Sequence, residues 1–431
     1  MPSLRPSLLR PTFLLALLGP IPGVALRLGV VHAPIVWETT LYGVAILGAA
    51  FLLAWAAEVA QLDISQTLAI AVLALIAVLP EYAVDLFLAY RAGQDQRAGL
   101  GVGESEAHEF AIANMTGANR LLIGIGWALV VLIFYWRSKS RHVRLRNAQR
   151  TDVGFLLVAT LWAFSIPIRG ELGMLDLLVL GGLFVAYIMR AAREEVEEPE
   201  LIGAAAAIGS LPKVPRRVLN VALFVYSATA ILFVAEPFAH GLIEIGKTFG
   251  INEFLLIQWV APLASEAPEI IIAILFTWRL KAQAGLGTLI SSKVNQWTLL
   301  VGTIPLVFVI GALDFVPFAL DSVQKEEIFL TAAQSLFAVA VIANLSISRG
   351  EAMALLVLFL GQFLLPIPAV RIGFAIGYVT LAVGMFVASR DVRGNLILAL
   401  RHVLRPVKQP PERTRAEAGL GPTGQDRRDD S

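Results

Sequence analysis

The chain has 431 residues, 57% of them hydrophobic and 16% charged, with a net charge of +1 and a mean hydropathy of +0.74. This composition excludes a set of soluble domains and indicates a polytopic membrane protein. The sequence contains no cysteine, which excludes disulfides, iron–sulfur clusters and thiolate zinc sites.

Apolar stretches of about 20 residues, the length that crosses a bilayer, recur along the whole chain. The first, residues 12–31, is either a spanning helix or a cleaved signal peptide. We favour the helix, because one more span is needed if the later basic loops are all to lie on the cytoplasmic side of the membrane. The other eleven predicted spans are 35–60, 66–90, 109–136, 152–168, 172–190, 218–246, 253–278, 285–312, 327–347, 351–366 and 369–389.

Basic residues concentrate in two connecting segments, residues 137–150 and the C-terminal tail. Loops rich in lysine and arginine stay in the cytoplasm. Counting spans from that rule places both termini in the cytoplasm and the acidic segments 94–109 and 314–327 outside. We therefore expect an integral protein of the plasma membrane, or inner membrane, of a cell.

An internal repeat divides the chain, since Ile168-Arg169-Gly170-Glu171 and Ser348-Arg349-Gly350-Glu351 each open one span of their half. Five spans per half, an odd number, insert the halves with opposite topology, as in many transporters. The predicted fold is all-α and polytopic, with two inverted five-helix repeats and about 12 transmembrane helices. The predicted parts are an extra N-terminal helix (1–34), the first repeat (35–190), a cytoplasmic linker (191–217), the second repeat (218–366), an extra C-terminal helix (367–390) and a disordered cytoplasmic tail (391–431).

Each half contains a pair of acids within a predicted span. Asp85 follows Glu81 by one helical turn, and Glu266 precedes Glu269 by one turn, so each pair shares a face of its helix. Ionised carboxylates are costly in a bilayer and usually mark ion pathways. The alternative, a solvated kink near the interface, does not explain why the pairs occupy equivalent places in both halves.

A proline precedes the main glutamate of each half. Pro80 cannot donate to the carbonyl of Ile76, and Pro268 cannot donate to that of Ala264. A free carbonyl beside a carboxylate is a favourable site for a hard cation. The sequence therefore predicts a duplicated cation site.

Segments of small, amide and hydroxyl residues, 113–120 and 287–296, follow the two acidic helices. This order, repeated in both halves, resembles the α-repeats of the sodium/calcium exchanger family, part of the calcium/cation antiporter superfamily, over roughly residues 35–366. The resemblance implies that Glu81 and Glu269 bind the transported cations. It implies with less support that Asn114, Asn119 and Ser292 add neutral oxygen ligands.

The repeats also depart from the family pattern. Asp85 and Glu266 stand where that pattern has hydroxyl residues, so we expect them to be further cation ligands or proton carriers. Lys293 replaces an asparagine and Arg120 directly follows Asn119. We expect both cations to be countercharges in the site, with Lys293 in the volume of a sodium ion. The alternative is that they extend to lipid headgroups.

These features predict a secondary cation antiporter that works by alternating access and exchanges Ca²⁺, or another divalent cation, for H⁺ or Na⁺. Monovalent Na⁺/H⁺ antiport on the same fold is the alternative. An intramembrane enzyme is disfavoured because the sequence has neither a nucleophile–base pair nor a histidine-rich metal motif. A passive channel is disfavoured because a pore does not need a pair of buried acids in each of two inverted halves. We therefore expect no enzymatic activity and no cofactor. The expected partners are inorganic cations and the lipid bilayer, with no nucleic acid.

Overall fold

A computed structural model of the chain describes residues 11–63, 79–192, 201–365 and 367–404, which are mostly helical. Up to the linker the helices are α1 (Pro11–Leu18), α2 (Pro20–Arg27), α3 (Ile35–Ala60), α4 (Leu79–Arg97), α5 (Glu106–Ser138), α6 (Asn147–Arg169) and α7 (Met174–Ala191). The rest are α8 (Gly203–Gly209), α9 (Lys213–Phe249), α10 (Glu253–Trp278), α11 (Ala282–Ala312), α12 (Ser322–Ile342), α13 (Arg349–Leu364), α14 (Pro368–Ala388) and α15 (Arg390–Leu404).

Within the described ranges, eight helices are long and apolar enough to cross a membrane: α3, α5, α6, α7, α9, α10, α11 and α14. Helix α4 carries three acids and two arginines along its length, and α13 has only 16 residues, so composition and length alone do not identify them as spans. The chain is therefore an all-α polytopic protein, as predicted, and the count of twelve spans stays a prediction.

The predicted first span forms two short helices, α1 and α2, that meet at Gly19-Pro20. Both pack against α3. A Cβ on Gly48 of α3 would lie only 3.4 Å from the Cα of Gly19, so the absence of side chains there allows close contact.

Two short antiparallel strand pairs join the halves. Strand β1 (His142–Arg144) pairs with β4 (Ser346–Ser348), and β2 (Glu171–Leu172) pairs with β3 (Phe318–Ala319). Counting helices within α3–α7 and α9–α13, each pair joins the loop after the third helix of one half to the loop after the fourth helix of the other. Successive loops alternate between the two sides of a membrane, so this crossed pairing requires the halves to be inserted in opposite directions.

The acidic helices pack tightly against the opposite half. Helix α4 contacts the end of α11, where a Cβ on Gly93 would lie 2.2 Å from the Phe308 carbonyl oxygen and one on Gly311 would lie 2.3 Å from that of Tyr90. Helix α10 contacts α5, where a Cβ on Gly117 would lie 1.8 Å from the Gln258 carbonyl oxygen. These glycines allow backbones to touch, which brings the acidic faces of both halves into one interior.

The start of the predicted disordered tail is instead a helix, α15. Its apolar residues Val392, Leu396 and Ala399 are buried, and it packs along α6. This amphipathic pattern has a helical period, which the overall polarity of the tail conceals. Residues 405–431, the acidic part of the linker (193–200), and residues 64–78 with the predicted Ile76 carbonyl lie outside the described residues.

A buried candidate cation site between the two halves

The structure brings together the four predicted acids, Glu81 and Asp85 on α4 and Glu266 and Glu269 on α10. Each is at most 9% exposed. Glu81 interacts electrostatically with Asp85 and Glu269, and Glu266 interacts with Glu81 and Glu269. Because α4 and α10 belong to opposite halves, the acids form one shared cluster and not two separate sites.

Each half supplies an amide donor to the second acid of its pair. The Asn114 Nδ2 group on α5 donates to Asp85 Oδ1 at 2.7 Å. The Gln296 Nε2 group on α11 donates to Glu266 Oε1. An amide holds each carboxylate in place while leaving the other carboxylate oxygen available for a further ligand.

Several buried oxygens around this cluster make no hydrogen bond of ordinary geometry among the residues that the structure describes. They comprise both carboxylate oxygens of Glu81, one each of Asp85, Glu266 and Glu269, the side-chain carbonyls of Asn114 and Gln296, and the Ser292 hydroxyl. Hydroxyl groups lie beside two of the acids, Ser265 beside Glu81 and Ser292 beside Glu269. Unpaired buried oxygens are rare in folded proteins and often indicate a ligand or ion. Carboxylate, amide and hydroxyl oxygens are the donors that Ca²⁺ prefers.

In the described part of the chain, no three acidic or histidine side chains are close enough together to hold one metal ion. The neutral side chains of Asn114, Gln296 and Ser292, which are not counted in such a group, stand beside these acids.

Lys293 on α11 is fully buried and points into this interior, not toward lipid headgroups. Its Nζ donates to the Asn119 side-chain oxygen at 2.6 Å and to the Asn119 backbone oxygen at 3.3 Å, and it lies 4.3 Å from the Trp297 ring centroid. It also interacts electrostatically with Glu266. The Asn119 oxygens are therefore occupied by an ammonium group in this conformation.

Arg120 is placed differently from our expectation. Its guanidinium donates to Glu327 Oε2 at 2.5 Å and lies 5.0 Å from the Trp259 ring, in place of contacting the four acids. Arg371 donates to the other oxygen of Glu327 at 2.6 Å. The first half thus directs its added cation away from the cluster.

Three residues near the site, Glu327, Gln258 and Arg371, were not predicted from the sequence. Glu327 stands at the boundary between a predicted outside loop and a predicted span, where acids are commonly solvated, and Gln258 is an uncharged residue within a span. A signal was present, since Gln258, Glu327 and Arg371 are polar residues in or beside apolar stretches. Only the folded structure shows that they meet.

Each of the two helices that carry the amide donors contains a π-helical turn at the site or just after it. Residues Leu122–Trp127 of α5 and Gln296–Leu300 of α11 form π-helical turns, and a third occurs at Leu177–Gly181. Such turns are frequent at functional sites. The first two occupy corresponding places in the two halves, and repeat symmetry therefore extends to this irregularity.

The sequence profile described as "Sodium/calcium exchanger protein" matches residues 35–192 and 219–367, more than half of the chain. The chain belongs to the sodium/calcium exchanger family. This confirms the resemblance seen in the repeats, and with the apolar helices it identifies an integral membrane protein of a family that moves inorganic cations across the membrane.

The chain is 43% identical in sequence to the H⁺/Ca²⁺ exchanger CAX, whose crystal structure it matches with a TM-score of 0.85. The alignment covers 90% of this chain and 96% of that one. Native YfkE (16% identical, TM-score 0.56, covering 86% of this chain and all of its own) shares the fold. So does the sodium-calcium exchanger NCX_Mj (18% identical, TM-score 0.50, covering 80% of this chain and 99% of its own). No curated protein sequence matches significantly.

Proposed function

We propose that this protein exchanges Ca²⁺ for H⁺ across a membrane by alternating access. The observation that carries the proposal is the set of buried, unpaired oxygens, within the described residues, that both halves direct into one interior. Calcium takes six to eight oxygen ligands and tolerates irregular geometry. Two carboxylate oxygens of Glu81, one from each other acid, and the neutral oxygens of Asn114 and Gln296 supply a set of this kind.

The charges in the site favour a divalent ion. Four acids face one ammonium group, since Arg120 is paired with Glu327. A cluster with excess negative charge attracts Ca²⁺ more strongly than a monovalent ion. Lys293 already supplies one fixed positive charge, in the place that we assign to a sodium ion.

Protons are the proposed coupling ions. When Ca²⁺ leaves, buried carboxylates without counterions would repel one another, and protonation removes that cost. Glu266 and Asp85, each held by one amide, are the proposed proton carriers, while Glu81 and Glu269 are the proposed central calcium ligands. The 43% identity to CAX, an H⁺/Ca²⁺ exchanger, supports the same coupling ion.

The inverted halves support the proposal of alternating access. We propose that a shift of one half against the other gathers the four acids around the ion and opens the site to one side of the membrane at a time. The proposed domain division keeps residues 35–190 and 218–366 as the two repeats. The basic loops support cytoplasmic termini. The proposed location is the plasma or inner membrane.

Uptake of ⁴⁵Ca²⁺ by proteoliposomes under an imposed pH gradient or an imposed Na⁺ gradient tests the proposal. We expect uptake driven by the pH gradient, and a fall of about 100-fold or more in Glu81→Gln and in Glu269→Gln, because each removes a charge from a buried ion site. Glu236→Gln, which changes an exposed acid paired with Arg27, is the control and should transport normally. Uptake driven only by Na⁺, ²²Na⁺ movement without Ca²⁺ movement, or wild-type rates in both glutamine variants would contradict the proposal.

A further inference from the structure

A second buried charge cluster lies beside the cation site. We call it the Glu327 cluster, and it consists of Arg120 on α5, Gln258 on α10, Glu327 on α12 and Arg371 on α14. Glu327 Oε2 accepts from Arg120 at 2.5 Å and from Gln258 at 2.9 Å, and Glu327 Oε1 accepts from Arg371 at 2.6 Å. Glu327 is 1% exposed and Arg120 is 2% exposed.

The Glu327 cluster and the cation site are joined through adjacent residues. Arg120 follows Asn119, whose two oxygens accept from Lys293, and Lys293 interacts electrostatically with both Arg120 and Glu266. Arg120 is thus adjacent in sequence to Asn119, the residue that binds the ammonium group facing Glu266. Because the Arg120 guanidinium points toward Glu327, its positive charge is not added to the cation site.

An arginine side chain stays protonated in proteins, so a buried guanidinium must find an anion. The acid next to Glu327, Glu326, is paired with Arg371 at 3.5 Å. With Glu327 neutral, we therefore expect Arg120 to compete for the acids of the cation site, of which Glu266 already interacts with Lys293, the neighbour of Arg120. A guanidinium turned toward them would neutralise one acid and repel the incoming divalent ion. The Gln258 amide donates to the same Glu327 oxygen as Arg120, and the Trp259 ring lies against the Arg120 guanidinium, but neither group carries a full negative charge.

We propose that Glu327 is a positioning residue for cation binding: by holding Arg120 it keeps the charge of the four-acid cluster available for the transported ion. This inference rests on the proposed function for the identity of that ion. It assigns different effects to the two arginines that share Glu327. Arg120, if it is no longer bound to Glu327, would bring a positive charge to the cation site. Arg371 would not, because it has a second acid partner, Glu326, at 3.5 Å.

A purely structural role for Glu327 predicts something else. Glu327 connects α5, α10, α12 and α14, and its loss would then lower stability and the maximal rate without a specific change in cation affinity. Removing Arg120 as well would add a second defect.

The experiment compares four proteins in proteoliposomes: wild type, Glu327→Gln, Glu327→Gln combined with Arg120→Gln, and Arg371→Gln. We expect Glu327→Gln to raise the KM for Ca²⁺ about tenfold or more, from the added positive charge near the ion. We expect the double variant to return to within about threefold of the wild-type KM, since the released charge is gone. Arg371→Gln should leave KM unchanged. Elution and thermal stability of each purified protein are measured in detergent, so that KM is compared only among folded proteins.

Two results would overturn the inference. One is a Glu327→Gln protein that folds and keeps the wild-type KM, and the other is a double variant no better than Glu327→Gln. Failure of the proposed function is recognised separately in the wild type. If wild type carries Na⁺ and not Ca²⁺, the same KM comparison is made with Na⁺ and still decides the role of Glu327. If wild type carries neither ion, both proposals are wrong.

Discussion

The two halves of the molecule share one plan but place their added positive charge differently. In the first half, Arg120 turns away from the four acids and binds Glu327. In the second half, Lys293 turns inward, donates to Asn119 and faces Glu266. The helices, the Pro-Glu steps and the π-helical turns correspond between the halves. The second acids, their amide donors and the cations do not, since Asp85 follows its main glutamate whereas Glu266 precedes its own.

This difference shows that the symmetry of the repeats and the charge of the site are determined by different features of the molecule. The crossing of α4 and α10 depends on backbone contacts such as Gly117 against Gln258, and a repeat reproduces such contacts once for each half. The charge of the site depends on where one long side chain points. Duplicated helices can therefore form an asymmetric site, with one fixed ammonium group, and that asymmetry is what the following experiments address.

Among variants that test this asymmetry, the largest effect is expected from removing the inward cation. Lys293→Met leaves four acids without a fixed countercharge and removes the donor to Asn119, so we expect Ca²⁺ uptake to fall about tenfold or more. If Lys293 stands in the place of a sodium ion, residual uptake in the variant should be stimulated by Na⁺, whereas uptake by the wild type should not. Both are measured as ⁴⁵Ca²⁺ uptake with and without Na⁺. Lys213→Met, at an exposed lysine, is the matched control.

A smaller, unequal effect should distinguish the second acid of each half. Glu266 faces Lys293, whereas Asp85 accepts a hydrogen bond from the neutral Asn114 amide. Glu266→Gln should therefore leave a buried ammonium group uncompensated and reduce uptake about tenfold, while Asp85→Asn should reduce it only about threefold. Initial uptake rates at saturating Ca²⁺ give the comparison. Equal losses would show that Lys293 does not make the halves functionally different.

The acid cluster could be predicted from the sequence because its signals are local. Spacings of three and four residues place Glu81 with Asp85 and Glu266 with Glu269 on helix faces, and an odd number of spans per half turns those faces toward each other. The inward position of Lys293 was predicted because it lies in the middle of a span, far from either surface. Each inference needed only one helix and its duplicate.

The Glu327 cluster could not be predicted in this way. Arg120 and Glu327 are far apart in the sequence, and a hydrogen bond between them depends on how α5 and α12 are rotated. Helix α15 was missed for a different reason, because its apolar residues are few and its burial depends on the surface of α6. Long-range partners and marginal amphipathic helices are decided by tertiary packing, which local patterns do not contain.

The smallest expected effect concerns the charges that join the halves outside the membrane. Asp63 lies just after α3 and accepts hydrogen bonds from two arginines at the start of α9, Arg216 at 2.8 Å and Arg217 at 3.0 Å. The hydrogen bond from Arg216 lowers the pKa of Asp63 to about 2. A lowered folded-state pKa means that this stabilisation is complete above the unfolded value of about 4 and is lost as the pH falls toward 2. Since Arg217 is half-exposed, Asp63→Asn should lower the apparent Tm by only about 2 °C at pH 7. In thermal scans in detergent, the difference in Tm between wild type and Asp63→Asn should stay constant between pH 8 and pH 5 and shrink below about pH 4. The control variant Glu106→Gln, which removes the exposed pair with Lys247, should shift Tm by less. A gap that closed near pH 6 would mean that another group, and not Asp63, holds the two halves together at this joint.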